Sequence, residues 1–272
     1  GEQLPDSPMK GGVVFFAAGN DGIDNGCPAN YEPIVAVGAI AKNGRRTSFS
    51  NYGNWVDIAA PGQGIYSTVP GNRYDFLSGT SMACPQVSGV VALGMSYALK
   101  LGKKFSREQF VSMLLGSTND MNSRLTGTKQ TKRMSGNAYV DYTLNLSDYF
   151  GQMGTGSVDA WKFLMAIEGI PSVMVQAGEK SIIDLSAYCN PYGNYEIKID
   201  DASSASLGIT TTPTVKDGYL EIQCSKIGAG KITLSAAVGK DPDTTDGIGE
   251  MNYSREISIV SRPFATDNGG WL

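Results

Sequence analysis

Three short apolar runs, each closed by turn-forming residues, stand ahead of a long stretch of helical periodicity, and that order limits the folds open to this chain. Residues 13–18 (VVFFAA) end at Gly19-Asn20, residues 34–39 (IVAVGA) form the second run, and residues 55–60 (WVDIAA) stop at Pro61-Gly62. Runs too short for a helix and bounded this way fit strands buried on both faces of a parallel sheet. Residues 65–69 and 74–77, joined by Pro70-Gly71-Asn72-Arg73, predict a β-hairpin. The period then changes. Val87, Val90, Val91, Leu93, Met95, Ala98 and Leu99 recur at three- and four-residue steps, which predicts a long, mostly buried helix. Pro85 falls in its first turn, where a missing N–H costs little.

Ser106-Arg107-Glu108-Gln109 has the form of a capping box and opens a second helix through Leu115. A third begins near Ala160 and runs through Trp161, Phe163, Leu164 and Ile167. Residues 117–150, rich in Thr, Ser, Asn and Gly, read as an irregular surface insertion, and residues 1–10 as a lead-in without regular structure. From Gly169 the pattern shifts to short alternating segments: 173–176, 181–186, 195–199, 207–212, 219–223, 231–237 and 253–260. Seven short strands separated by turn residues argue for a β-sandwich of about 100 residues. Two domains follow, 1–168 and 169–272, within the reach of a chain of 272 residues.

Composition removes several function classes. The net charge is −4, and the 22 basic residues are scattered, so no basic stripe awaits a phosphate backbone and nucleic acid is not an expected partner. No run of about 18 apolar residues occurs, so no membrane span is expected. There is no His at all, which takes away the commonest general base and the commonest transition-metal ligand together. Cys27, Cys84, Cys189 and Cys224 show no CxxC spacing, which argues against zinc; they read as small buried hydrophobes. Cys189 and Cys224 pair only if their strands meet. The carboxylates of Asp241, Asp243 and Asp246 suit either a calcium loop or a solvated hairpin.

The chemistry concentrates around Ser81. A small-residue turn, Ser78-Gly79-Thr80, leads from a strand into a helix whose first residues include Ser81. A hydroxyl there points outward, while free N–H groups and the positive end of the helix dipole favour developing negative charge. That suits a serine nucleophile with half an oxyanion hole in its own backbone N–H. It equally suits a helix N-cap, the usual role of Ser or Thr before a helix.

The segments around Ser81 carry a resemblance that decides between these readings. Residues 79–89, GTSMACPQVSG, resemble the nucleophile motif of subtilisin-like serine peptidases, GTSMA-x-P-x-V-x-G. Residues 13–20 resemble the strand that ends in AAGN, and residues 34–39 that family's VIAVGA strand. FSNYG at 49–53, VDIAAPG at 56–62 and the helix over 151–167 match further segments in order. The resemblance covers residues 11–168 apart from the 117–150 insertion. It implies an α/β fold, here a partial parallel sheet with flanking helices.

By this resemblance Ser81 is the nucleophile and Asn20 the second oxyanion donor, with Thr80 a minor contributor. Ala17, Ala18, Gly19 and Gly26 match positions lining the primary specificity pocket, and their small size implies a roomy, uncharged pocket for large apolar side chains. Gln86 stands where many members carry a second, non-catalytic His. The family's chain order is Asp, His, Ser, so both other triad members are expected outside this chain, and the chain alone is expected to be inert. No cofactor or metal is implied beyond a weak structural cation near Asp57. Partners expected are a protein or peptide substrate, the N-terminal catalytic segment, and self-association through an unpaired sheet edge.

Residues 169–272 resemble bacterial immunoglobulin-like or cadherin-like modules through 183–188 and 228–234, implying an all-β sandwich that acts as a spacer or binding domain. A secreted or cell-envelope location follows from the same resemblances. The alternative function is a non-catalytic binding or adhesion protein on a degenerate peptidase fold.

Overall fold

The computed structural model describes residues 6–136, 138–189, 195–238 and 251–263. They fall into two compact units, divided between Ile167 and Glu168.

In the first unit, β1 (Phe15–Ala17), β2 (Val35–Ile40) and β3 (Ile58–Pro61) form a parallel sheet in the order β1-β2-β3. The central strand is buried at all six residues, as a continuous Val/Ile/Ala run predicts. The first strand departs from the expectation of burial on both faces. Val14 is 57% exposed and Phe16 41%, whereas Phe15 packs on the core. The reason is position: β1 is the outermost of the three strands, so its alternate side chains meet the core on one face only.

An antiparallel hairpin, β4 (Ile65–Val69) and β5 (Arg73–Leu77), leads into the long helix α1 (Thr80–Lys100). Ala83, Val87, Val91 and Ala98 of α1 share one buried cluster with Val35, Val37, Ala39, Ile58 and Ala60 of the sheet. By length and composition alone α1 is apolar enough to cross a membrane, but here one of its faces is core. Helix α2 (Arg107–Gly116) starts at the capping box: the Gln109 N–H donates to Ser106 Oγ at 3.2 Å, and the Ser106 N–H donates to Gln109 Oε1 at 2.9 Å. Ser106→Ala is expected to destabilise this unit by about 1 kcal/mol, read as a lower urea midpoint in tryptophan fluorescence. The lead-in is more ordered than the sequence suggests. Met9 is buried in the core and pairs with Phe105, beside a 2.8 Å bond from the Phe105 N–H to the Pro8 carbonyl.

Residues 117–150 are not irregular throughout. They carry an antiparallel ribbon, β6 (Thr128–Ser135) and β7 (Ala138–Asn145), paired over eight residues. Its polar composition hid the alternation from sequence reading. A two-stranded ribbon is marginal by itself; this one is anchored at its base, where Leu144 and Leu146 join Met121, Leu125, Met153, Ile40 and Ala59 in a second cluster. Helix α3 (Ala160–Glu168) then inserts Phe163 and Ile167 into the main core.

In the second unit, β8 (Ser172–Gln176), β9 (Lys180–Asp184), β10 (Glu196–Ile199), helix α4 (Asp201–Leu207), β11 (Thr214–Lys216), β12 (Tyr219–Gln223), β13 (Gly228–Val238) and β14 (Met251–Arg262) form two sheets. Their orders are β10-β13-β14-β8, with β14 and β8 parallel, and β11-β12-β9. Both sheets contribute to one core, through Val175, Ile183, Leu220, Ile222, Ile232, Leu234, Ile257 and Ile259.

The expectation of an all-β, immunoglobulin-like sandwich is not met. Helix α4 fills the stretch just before and into the strand predicted at 207–212, and its Leu207 packs into that same core. The overlooked signals were caps. Asp200 Oδ1 accepts from the Ser203 N–H at 2.8 Å, and Gly208 at φ 64° ends the helix in the left-handed region. Cys189 and Cys224 are free thiols, and burial pushes the Cys224 thiol up to about 11. The 241–246 carboxylates lie outside the described residues.

Candidate active site

The site forms where the end of β1 meets the start of α1. The Ala18 N–H donates to the Val37 carbonyl at 2.9 Å, continuing the sheet ladder one residue past β1. The chain then turns at Gly19, whose φ of 102° an L side chain rarely adopts. On the other side, the Gly79 N–H donates to the Gly62 carbonyl at 2.8 Å, and the Gly62 N–H donates to the Ile40 carbonyl at 2.9 Å. Position 62 must lack a side chain: a Cβ there would stand 2.6 Å from the Ala39 Cβ and 2.8 Å from the Gly79 carbonyl oxygen. The glycine of the AAPG segment thus lets the helix start lie directly on the end of β3.

Helix α1 has no side-chain cap of its own, because its N-cap is Gly79. Asn20 caps it from 60 residues away. Its Oδ1 accepts from the Thr80 N–H at 2.9 Å and from the Thr80 hydroxyl at 3.0 Å, while Thr80 Oγ1 accepts from the Gly19 N–H at 3.2 Å. Thr80 is buried and Ser81 exposed. Ser81 lies inside the helix, so the N-cap reading of it fails. Among the described residues neither the hydroxyl nor the N–H of Ser81 has a hydrogen-bond partner, and neither does Asn20 Nδ2. The first turn of α1 contains no acidic residue. Three unspent donors therefore stand at the positive end of a 21-residue helix, an arrangement that favours an anion or a developing oxyanion.

Of the other residues singled out in the sequence, Ala17, Ala18 and Gly19 run directly into Asn20, with Ala18 buried and its neighbours half-buried. Gly26 is different. It is buried, a Cβ on it would stand 2.5 Å from the Trp55 indole, and no hydrogen bond joins it to Asn20, Thr80 or Ser81. Its missing side chain makes room for Trp55. Gln86 donates to the Pro61 carbonyl at 2.7 Å and so ties α1 to the end of β3. Sequence reasoning passed over Asn51, which lies inside the quoted FSNYG segment. It is a buried polar residue in contact with Gly19 and the loop that follows Asn20. Its signal was a carboxamide between two glycine-rich turns.

Asp57 accepts from the Ala36 N–H through Oδ2 at 2.7 Å. Burial pushes its carboxyl above the usual carboxylate range, against the opposing pull of that hydrogen bond. A raised folded value means the folded state holds the proton longer. The contribution to stability is therefore full below the unfolded value of about 3.9 and is lost as pH rises through the folded one. Asp57→Asn keeps an acceptor for Ala36 without the buried charge. It is expected to match or exceed the parent in thermal midpoint at pH 7, with the difference closing below pH 4. Among the described residues no group of three His, Cys, Asp or Glu is placed to hold a metal ion.

Comparison with known proteins adds to this geometry. The family model described as the subtilase family, peptidase S8, matches residues 4–139. A thermophilic serine proteinase of Bacillus sp. (strain AK1) is 56% identical over 85 residues, 31% of this chain and 21% of that protein. Subtilisin DY of Bacillus licheniformis is 47% identical over 101 residues, 35% of this chain and 37% of its own. An extracellular basic protease of Dichelobacter nodosus is 36% identical over 143 residues, 49% of this chain and 24% of its own. The chain thus spans between about a fifth and somewhat over a third of the length of these relatives.

Proposed function

Because this chain belongs to the subtilase family, we propose that it provides the nucleophile and the oxyanion donor of a secreted serine endopeptidase, with the general base and its aspartate supplied by residues outside the chain. One observation carries the reading. Asn20 spends its carboxamide oxygen on Thr80, which leaves Nδ2 as a donor beside the unpaired N–H and hydroxyl of Ser81.

In this mechanism Ser81 Oγ attacks the carbonyl carbon of the scissile peptide bond while an external imidazole takes its proton. The carbonyl oxygen becomes an oxyanion that accepts hydrogen bonds from the Ser81 N–H and Asn20 Nδ2. Collapse expels the leaving amine, protonated by the same imidazole, and leaves an acyl ester on Ser81. Water then releases it by the reverse proton path. With no His in the chain, Ser81 alone keeps an unactivated hydroxyl. Ala17, Ala18 and Gly19 line a pocket for an apolar substrate side chain. Val14 and Phe16 leave one face of β1 apolar and exposed, a surface on which the segment that supplies the base could pack. The extracellular basic protease of Dichelobacter nodosus among the relatives supports a secreted location.

The test is intact-mass detection of fluorophosphonate labelling at Ser81, on this chain alone and mixed with an upstream segment carrying the His and Asp of its parent protein. Labelling in the mixture alone supports the reading. No labelling in either case, with association of the two parts demonstrated, overturns it.

A further inference from the structure

We propose that Asn51 is a positioning residue for the oxyanion donor, holding the backbone on both sides of Asn20. The proposal rests on the reading of Asn20 given above, but it is drawn from a different set of contacts. Asn51 is 3% exposed and is joined to the loop after β1 by four hydrogen bonds. Its N–H donates to the Gly19 carbonyl at 3.0 Å. Its Oδ1 accepts from the Asp21 N–H at 3.0 Å and the Ile23 N–H at 3.3 Å, and its Nδ2 donates to the Asn25 carbonyl at 3.1 Å. The residues immediately before and after Asn20 are thus both bound to Asn51.

Close approach makes the arrangement specific. A Cβ on Gly19 would lie 2.5 Å from Asn51 Nδ2, so the carboxamide occupies the space that a side chain at 19 would need. The loop is exposed at Asp21, Ile23, Asp24 and Asn25 and adds no large buried side chain to hold itself. Gly22 and Ile23 are also tied by backbone bonds to Phe49 and Tyr52, and Asp24 by the Trp55 indole. Among the described residues, however, only Asn51 binds the residues on both sides of Asn20. Its buried amide has both functions used, and leaving such polar groups unpaired is costly. Thr80 fixes the Asn20 side chain from the helix side, and Asn51 fixes its main chain from the loop side. An oxyanion donor works only when it is already placed, and a misplacement of about 1 Å costs up to about 10²-fold.

Two measurements test this on the whole chain. In Asn51→Ala, amide hydrogen exchange at Asp21 and Ile23 is expected to accelerate at least about tenfold. Ala59 and Val158, bonded elsewhere in the unit, keep their protection, which shows that the fold survives. Asn51→Asp retains the Oδ1 acceptor and is expected to preserve protection at Asp21 and Ile23. Unchanged exchange at those two amides in Asn51→Ala overturns the proposal.

The second measurement is the rate of fluorophosphonate labelling at Ser81 in the reconstituted mixture. A positioning role lowers the limiting rate about tenfold, with the final labelled fraction unchanged. A merely structural role lowers the labelled fraction at the parent rate, and that result also overturns the proposal. If the parent mixture is never labelled, the peptidase reading fails first. If the parent is labelled and Asn51→Ala matches its rate, the failure belongs to Asn51 alone.

Discussion

Asn20→Asp is expected to leave the start of α1 in place and to slow acylation of Ser81 in the reconstituted peptidase by about 10²–10³, the size found for loss of such a donor in a subtilisin. The substitution separates two jobs that one amide performs. Aspartate keeps an oxygen for the Thr80 N–H and hydroxyl, bonds of 2.9 and 3.0 Å in the parent. It replaces the Nδ2 donor by a second oxygen and adds negative charge where the oxyanion forms. Asn20→Ala loses both functions and leaves the buried Thr80 N–H unpaired, a further cost of about 1–3 kcal/mol in stability. The comparison is made by labelling rate for catalysis and thermal midpoint for stability. An aspartate variant that labels at the parent rate removes Asn20 from the mechanism.

Phe163→Ala is expected to cost about 3–5 kcal/mol in the first unit, a large part of the roughly 5–15 kcal/mol that folds a typical domain. Phe163 is fully buried where three helices meet. Its ring lies edge-on to Phe110 of α2, with centroids 5.1 Å apart and planes at 82°. On α1 it lies against Gly94, where a Cβ would approach the ring to 2.4 Å. Gly94 has no side chain to move into the cavity, so the loss stands at the upper part of the range. Denaturant titration followed by Trp55 and Trp161 fluorescence reports it. Amides of β13 and β14 in the second unit keep their protection, since their core shares no residue with this one. A midpoint shift worth less than about 1.5 kcal/mol, the cost of a tolerated core exchange, means that the three helices do not depend on this contact.

Local signals carried well from sequence to structure. Apolar runs at 13–18, 34–39 and 55–60 became the three parallel strands, and the three- and four-residue steps after Gly79 became α1. The capping box at Ser106 formed with both of its bonds. Periods and caps act within a few residues, so neighbours along the chain suffice to reveal them. The readings that failed needed information from further away. The uncovered face of β1 depends on which strand lies outermost. The ribbon over 128–145 depends on an anchoring cluster that includes Ile40 and Ala59. Helix α4 was missed although its caps were local, because the apolar pair Leu207 and Ile209 was read with a two-residue period.

The sequence by itself determined the order of the three parallel strands, the hairpin and the three helices of the first unit, the lack of any histidine base, and Ser81 as the hydroxyl at the start of α1. Only the tertiary structure decided what the site residues do for one another. Asn20 turns its oxygen to Thr80, 60 positions away, and thereby frees its nitrogen. Asn51 binds the loop on both sides of Asn20 from about 30 positions away. Gly26 has its missing side chain's space taken up by Trp55 and Asn30. A side-chain amide has two ends of opposite hydrogen-bonding character, and a glycine leaves a space without naming its occupant. Which end is used, and who fills the space, is settled only when segments distant in sequence come within hydrogen-bonding and van der Waals reach.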